Sequence, residues 1–268
     1  MRRTMAAIAL CLLAACGTMA QIHINKSLDV VILGDSNTWI GGDDCDNAKG
    51  WNKWFKDFFR PASCKSYARS GATWTNTSQT KTNTEEDIAV LGDDNVIYNQ
   101  IMRLRQAVES GAQAVPGLVI IAAGTNDAWF QNKRPDIFSM GTEMALMTVN
   151  ENLSDINVNE MTSLAQSVFY GIALLRESFP DVQIILFTPL QCTATSLENI
   201  QMVGDVLVEC AEACNIGWLR QDDSKFLDRE KELQHKHFTS DGTHTNAEGA
   251  RHNARIIAEM VPLMLRKY

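Results

Sequence analysis

Three runs of apolar, largely β-branched residues, Leu28–Leu33, Gly117–Ala123 and Val182–Phe187, most constrain what this chain can fold into. Each is short and nearly continuous in its hydrophobicity, which is how strands buried on both faces of a parallel sheet read. Between them the apolar period changes to that of a helix. Gly50–Phe59 carries Trp51, Trp54, Phe55, Phe58 and Phe59 at helical spacing, and Val96–Val108 sets Ile97, Ile101, Leu104 and Val108 on one face before Gly111. Further helices are predicted over Met161–Phe179, ended by Pro180, over Ser196–Cys214, and over Asn246–Arg266. Two weaker strands, Lys65–Ala68 and Ile216–Leu219, complete an alternating order. That alternation predicts an α/β fold, a five-stranded parallel sheet covered on both faces as a three-layer sandwich. No repeat or linker divides it, so residues 21–268 are expected to form a single domain. Thr75–Asp94 reads as polar loop. Asp127–Asn159 shows no clear element and is long for a connection, the mark of a lid or insertion.

The first twenty residues read differently. Arg2 and Arg3 precede an apolar stretch, Met5–Ala15, too short to span a bilayer, as in an export signal. Two processing readings stand. Leu13-Ala14-Ala15-Cys16 resembles a lipobox that would leave Cys16 lipid-modified; Thr18-Met19-Ala20 would instead release a chain starting at Gln21. Either way an exported protein is expected, periplasmic or secreted, with membrane attachment only through Cys16. Loss of residues 1–20 moves the net charge from −8 to −10, because two arginines and no acids go with them. So acidic a chain is not expected to bind nucleic acid or anionic membranes. Cys45 and Cys64 flank the first helix and are the expected bridge if one forms; Cys210 and Cys214, a turn apart, read as small core residues. No Cys-x-x-Cys or His-Glu-x-x-His pattern supports a metal site, and no cofactor is expected.

Four short segments at strand ends carry the chemistry. Gly34-Asp35-Ser36-Asn37 follows the first strand, where open α/β sheets bind ligands. Ser70-Gly71-Ala72 follows the second and Gly124-Thr125-Asn126-Asp127 the third, while Asp241-Gly242-Thr243-His244 precedes the last helix. Singly, each is a common turn, and Ser36 alone reads better as a helix cap than as a nucleophile. Together they supply a hydroxyl, an imidazole and a carboxylate, the parts of an activated oxygen nucleophile.

As a set, in this order, these segments resemble the motifs of the SGNH (GDSL) hydrolase superfamily, over about residues 28–265. Asn37 departs from the leucine of the family's common name. The resemblance implies a flavodoxin-like three-layer fold and esterase, lipase, thioesterase or carbohydrate-deacetylase activity. It implies Ser36 as nucleophile, His244 as base and Asp241 as its orienting acid, with Ser36, Gly71 and Asn126 forming the oxyanion hole. The residue types suit those roles: a serine hydroxyl needs an imidazole to take its proton, and the imidazole needs a carboxylate to fix its tautomer. Asp35 and Asp127 read as structural ties between the loops. Outside the family pattern, Trp39, Trp74 and Trp129 each fall three residues after a proposed site residue. Flat indoles there suit a sugar ring or an acyl group, and the apolar Asp127–Asn159 stretch is expected to wall the acyl pocket. The expectation is an exported serine esterase acting on short acyl, chiefly O-acetyl, esters of a neutral or cationic glycan. A lipase or thioesterase on the same fold, or a glycan-binding protein without turnover, are the alternatives.

Overall fold

The structure is a computed structural model, and it describes residues 27–80, 95–153 and 155–265. The export-signal readings at residues 1–20, Cys16 and Gln21 lie outside the described residues, as does 81–94 of the polar loop. Five strands, β1 (Asp29–Gly34), β2 (Ser63–Ser66), β3 (Leu118–Ala122), β4 (Gln183–Phe187) and β5 (Gly217–Leu219), form one all-parallel sheet in the order β2-β1-β3-β4-β5. The helices are α1 (Ser36–Trp39), α2 (Trp51–Phe59), α3 (Ile97–Glu109), α4 (Thr125–Trp129), α5 (Thr142–Asn152), α6 (Leu164–Ser178), α7 (Leu197–Ala213), α8 (Arg229–Gln234) and α9 (Ala247–Met264).

The side-chain period of two divides the strands between two cores. Val30, Ile32, Leu118, Ile120 and Phe187 point to one face, where α2 and α9 cover them through Trp51, Phe55, Ile257 and Val261. Val31, Leu33, Val119, Ile121 and Leu186 point to the other, beneath α3, α6 and α7. Both faces being dry explains why the strands read as continuous apolar runs. The aromatic face of α2 packs into the first core, with Phe55 stacked on Phe59 at 4.8 Å between centroids.

The chain leaves β1 toward β2 on one side and returns to β3 on the other. The sheet therefore has a topological switch point between β1 and β3, and the loops after these strands part to leave a crevice. Gly34 closes the base of that crevice. A Cβ there would lie 2.5 Å from the Ala122 carbonyl oxygen, so only glycine fits. Its peptide groups are clamped by one side chain: the Gly34 N–H donates to Gln100 Oε1, and Gln100 Nε2 donates to the Gly34 carbonyl, both at 2.9 Å.

Two expectations need correction. Asp127–Asn159 is not bare loop: it holds most of α4, short 3₁₀ turns at Gln131–Lys133 and Val158–Glu160, and the whole of α5. Helix α5 buries Ala145 and Val149 while Met144 and Met147 stand 64% and 56% exposed, so its apolar residues do not fall on one face. That is why a periodicity reading misses it. Cys45 and Cys64 are free thiols with sulfurs 3.6 Å apart. The hydrogen bond to Cys45, together with burial, pushes the Cys64 thiol well up. Cys210 is a buried core residue, as expected, while Cys214 is only partly buried; Cys192 is buried as well.

Candidate active site

Ser36 is the first residue of α1, directly after β1, and is only 7% exposed. Asp35 caps this helix, accepting from the Asn37 N–H at 3.0 Å, and its other carboxylate oxygen accepts from the Thr125 N–H at 3.4 Å. One buried carboxylate thus joins the loop after β1 to the loop after β3. Burial pushes its carboxyl above the usual range, against the pull of those hydrogen bonds.

Asp241 and His244 sit on a tight loop between Thr239 and Thr245, which pair as an antiparallel bridge. The Ser240 N–H donates to the His244 carbonyl, and Gly242 takes a φ of +95°, a conformation that favours glycine. Glu232 on α8 holds the loop from beneath, accepting from the His237 and Phe238 N–H groups and from the Thr239 hydroxyl. Asn246 caps α9 and fixes where the loop ends.

This folding brings His244 to Ser36 across 208 residues, with Nε2 lying 2.9 Å from Oγ. On the far side of the ring Nδ1 lies 2.7 Å from Asp241 Oδ2. The other Asp241 oxygen accepts from the Thr243 and His244 N–H groups at 2.9 and 2.8 Å. Partial burial raises the Asp241 carboxyl, but the bonds from the His244 ring and the two N–H groups outweigh it and hold it at about 2. An ionised Asp241 keeps the proton on Nδ1, so Nε2 faces Ser36 as an acceptor. His235 and His237 take no part in this pairing.

Gly71 occupies the turn Arg69–Ala72 at a φ of +77°, closed by the Ala72 N–H on the Arg69 carbonyl. Nothing lies within 4 Å of where a Cβ would stand, so the left-handed backbone, not crowding, requires glycine. Among the described residues, neither the Ser36 nor the Gly71 N–H meets a protein acceptor. Asn126 Nδ2 donates one hydrogen to the Ala72 carbonyl at 2.9 Å, which leaves its second hydrogen for a ligand. Ser36, Gly71, Asn126 and His244 all line a cavity of about 440 Å³, with Trp129 and Phe130 as its apolar wall.

Asp127 is buried beneath this wall. It accepts from the Trp74 N–H, the Thr75 N–H and the Thr75 hydroxyl at 3.0, 3.1 and 2.8 Å, tying the loop after β2 to α4. Burial pushes its carboxyl up. Asp127→Asn keeps one acceptor and turns an amide toward donors. The expected result is a loss of about 1–3 kcal/mol of stability in urea melts, with a fall in kcat because Asn126 is adjacent.

The tryptophans separate. Trp129 is 41% exposed and stacks on Phe130 at 5.3 Å, inside the cavity. Trp74 is a correction: it is 2% exposed in the core, because the loop that carries it folds inward onto Asp127, and it has no face for a substrate. Trp39 is exposed but does not line the cavity. Of the Asp127–Asn159 stretch only its first part, to Arg134, reaches the cavity. Sequence reasoning missed Lys133 and Arg134 there, and Gln100 and Glu232 as positioning residues. Lys133 and Arg134 had a signal, being basic and a few residues past Asn126. Gln100 and Glu232 had none, since their roles arise from tertiary contact.

Solved structures share this fold. A protein assigned as a GDSL-like lipase from Bacteroides uniformis superposes with a TM-score of 0.55 at 17% identity, covering 90% of this chain and 98% of its own. One from Bacteroides ovatus gives 0.54 at 15%, covering 87% and 98%. An acetyl xylan esterase gives 0.50 at 16%, covering 87% and 100%. At such identities the likeness is one of fold. No curated protein matches the sequence significantly. Among the described residues no helix is long and apolar enough to cross a membrane. The model of the GDSL-like lipases/acylhydrolases matches residues 30–257, from β1 to α9 and across all four motif segments, and the chain belongs to that family of ester hydrolases.

Proposed function

We propose that this chain is an exported serine esterase that removes short acyl groups, chiefly O-acetyl, from carbohydrate through an acyl-enzyme. The observation that carries the reading is the unbroken line from Ser36 Oγ to His244 Nε2 to Asp241 Oδ2, at 2.9 and 2.7 Å, at the mouth of a cavity that also holds Gly71 and Asn126. Ser36 attacks the ester carbonyl carbon as its proton passes to His244 Nε2. The tetrahedral oxyanion receives the Ser36 and Gly71 N–H groups and the free Asn126 hydrogen. Each such donor is worth roughly 3–4 kcal/mol in the transition state. As the C–O bond to the sugar breaks, His244 returns its proton to the departing alkoxide. A water molecule, deprotonated by the same nitrogen, then attacks the acyl-serine and frees the acid.

The fold relative that deacetylates xylan, the leader-like residues 1–20 and the indole of Trp129 at the cavity wall support carbohydrate over lipid. Among the described residues lining the cavity, the charged side chains besides the histidine are Lys133 and Arg134, the latter facing the buried Asp127 carboxylate. Lys133 at the wall favours an acetylated glycan that is neutral over one that is cationic.

The test is acid release from p-nitrophenyl esters of increasing chain length beside O-acetylated polysaccharides. Turnover is expected to fall beyond the shortest acyl groups and to be retained on the polysaccharides. Efficient cleavage of long-chain esters would establish a lipase instead, and no turnover on any ester a pure binder. Trp129→Ala is expected to raise KM for the polysaccharide about tenfold or more while changing kcat on p-nitrophenyl acetate little, since a platform contact binds without entering the chemistry. Equal losses on both substrates would show that Trp129 serves to hold Asn126.

A further inference from the structure

Helices α1 and α4 start at the ends of the neighbouring strands β1 and β3, one on each side of the crevice, and each ends in an exposed tryptophan. Trp39 is the last residue of α1 and 39% exposed; Trp129 is the last of α4 and 41% exposed. Trp129 lines the cavity at Ser36, whereas Trp39 lies outside it. Residues three apart share a helix face. Trp39 therefore stands on the side of α1 that carries Ser36, one turn further out and about 4.5 Å along the axis. That step is close to the length of one sugar unit.

Both helices are held in place. The Asp35 carboxylate that caps α1 also accepts from the Thr125 N–H at the start of α4. Trp51 Nε1 donates to the Thr38 hydroxyl at 3.0 Å and braces α1 against α2, while the Thr195 hydroxyl donates to the Ala128 carbonyl at 3.3 Å and braces α4. The polar edges of the two indoles are uncommitted. Trp51 and Trp54 spend their ring N–H groups on Thr38 and on the Ala48 carbonyl. Those of Trp39 and Trp129 meet no partner among the described residues, and both rings reach solvent. Each thus offers a flat apolar surface with a donor at its edge, which matches a sugar ring with its C–H face and its rim of hydroxyls. Trp218 is also exposed, but it sits on edge strand β5, away from the crevice.

We propose that Trp39 is a second sugar platform, outside the cavity, which holds the neighbouring unit of a glycan chain while the acetylated unit lies at Ser36 against Trp129. The assignment rests on the carbohydrate reading above and narrows its substrate to an acetylated oligosaccharide or polysaccharide bound along its chain, as against an acetylated monosaccharide. Initial rates on O-acetylated xylo- and manno-oligosaccharides, graded from monosaccharide to hexamer, test it beside p-nitrophenyl acetate.

Wild-type kcat/KM is expected to rise roughly tenfold or more with chain length, chiefly through KM, as the second platform is filled. Trp39→Ala should remove that rise while leaving the rates on the monosaccharide and on p-nitrophenyl acetate within about twofold, since neither reaches the second platform. Trp39→Tyr, which keeps a flat ring, should retain most of it. Isothermal titration of the hexamer into Ser36→Ala protein, which cannot turn it over, should show the same roughly tenfold loss when Trp39→Ala is added. Rates that do not rise with length, or a rise that survives Trp39→Ala, overturn the platform and leave the carbohydrate reading standing. Equal losses on p-nitrophenyl acetate and on the hexamer also overturn it, because Trp39 would then serve to hold the helix of Ser36. Turnover of p-nitrophenyl acetate with none on an acetylated sugar of any length overturns the carbohydrate reading, and the platform with it.

Discussion

Ser36→Ala is expected to remove ester turnover, with kcat lowered by roughly 10⁴-fold or more while the fold stays intact. The substitution deletes the atom that attacks and little else. Ser36 sits in the first turn of α1, whose cap is the side chain of Asp35 and not that of Ser36. The only side-chain hydrogen bond that disappears is the one to His244 Nε2, and that nitrogen faces an open cavity where water replaces the hydroxyl. A melting temperature near that of the wild type is therefore expected beside the lost activity. A serine-directed phosphonate should label the wild type once, at this residue. Activity within tenfold of wild type would show that another group attacks, and the assignment of Ser36 would fall.

Much of this site was legible because its parts lie where the backbone pattern changes. A continuous apolar run ending at Gly34 locates the edge of the sheet, and the residues just past it face the crevice whatever the rest of the fold does. That logic puts the segments of Ser36, Gly71 and Asn126 at the crevice, and the loop of Asp241 and His244 before the last helix; the role of each residue is what the resemblance of the four segments to the GDSL pattern implies. The illegible parts depend on contacts between distant segments. Trp74 shares with Trp129 the same spacing from a motif residue, yet Asp127 draws its backbone inward and buries its ring. Spacing along the chain cannot distinguish the two. Helix α5 was hidden because Met144 and Met147 face outward, which spoils the apolar stripe that would mark it. Gln100 and Glu232 look like ordinary surface residues of helices. Only the assembled structure shows one clamping Gly34 and the other supporting the histidine loop.

Asp241→Asn is expected to have the second-largest effect, through the proton on His244 and not through the fold. The asparagine keeps an oxygen to accept from the Thr243 and His244 N–H groups, so the loop should hold its shape. Its amide nitrogen then faces His244 Nδ1 as a donor. The imidazole must answer by accepting there, which moves its proton to Nε2, and a protonated Nε2 cannot take the proton of Ser36. A fall in kcat of up to roughly 10⁴-fold is expected, with KM little changed. The acid limb of stability should change as well. In the wild type the Asp241 carboxyl is held at about 2, below its ordinary 3.8. A depressed carboxyl contributes stability that is fully present above the ordinary value and is lost as pH falls through the folded one. The wild type should therefore lose this contribution between about pH 4 and pH 2, and the asparagine variant, having no proton to gain there, should not. The side chain is 55% exposed, so the difference will be small and best seen at low salt. If the variant instead keeps activity within tenfold, His244 is oriented by something other than Asp241, and the carboxylate serves only to close the loop.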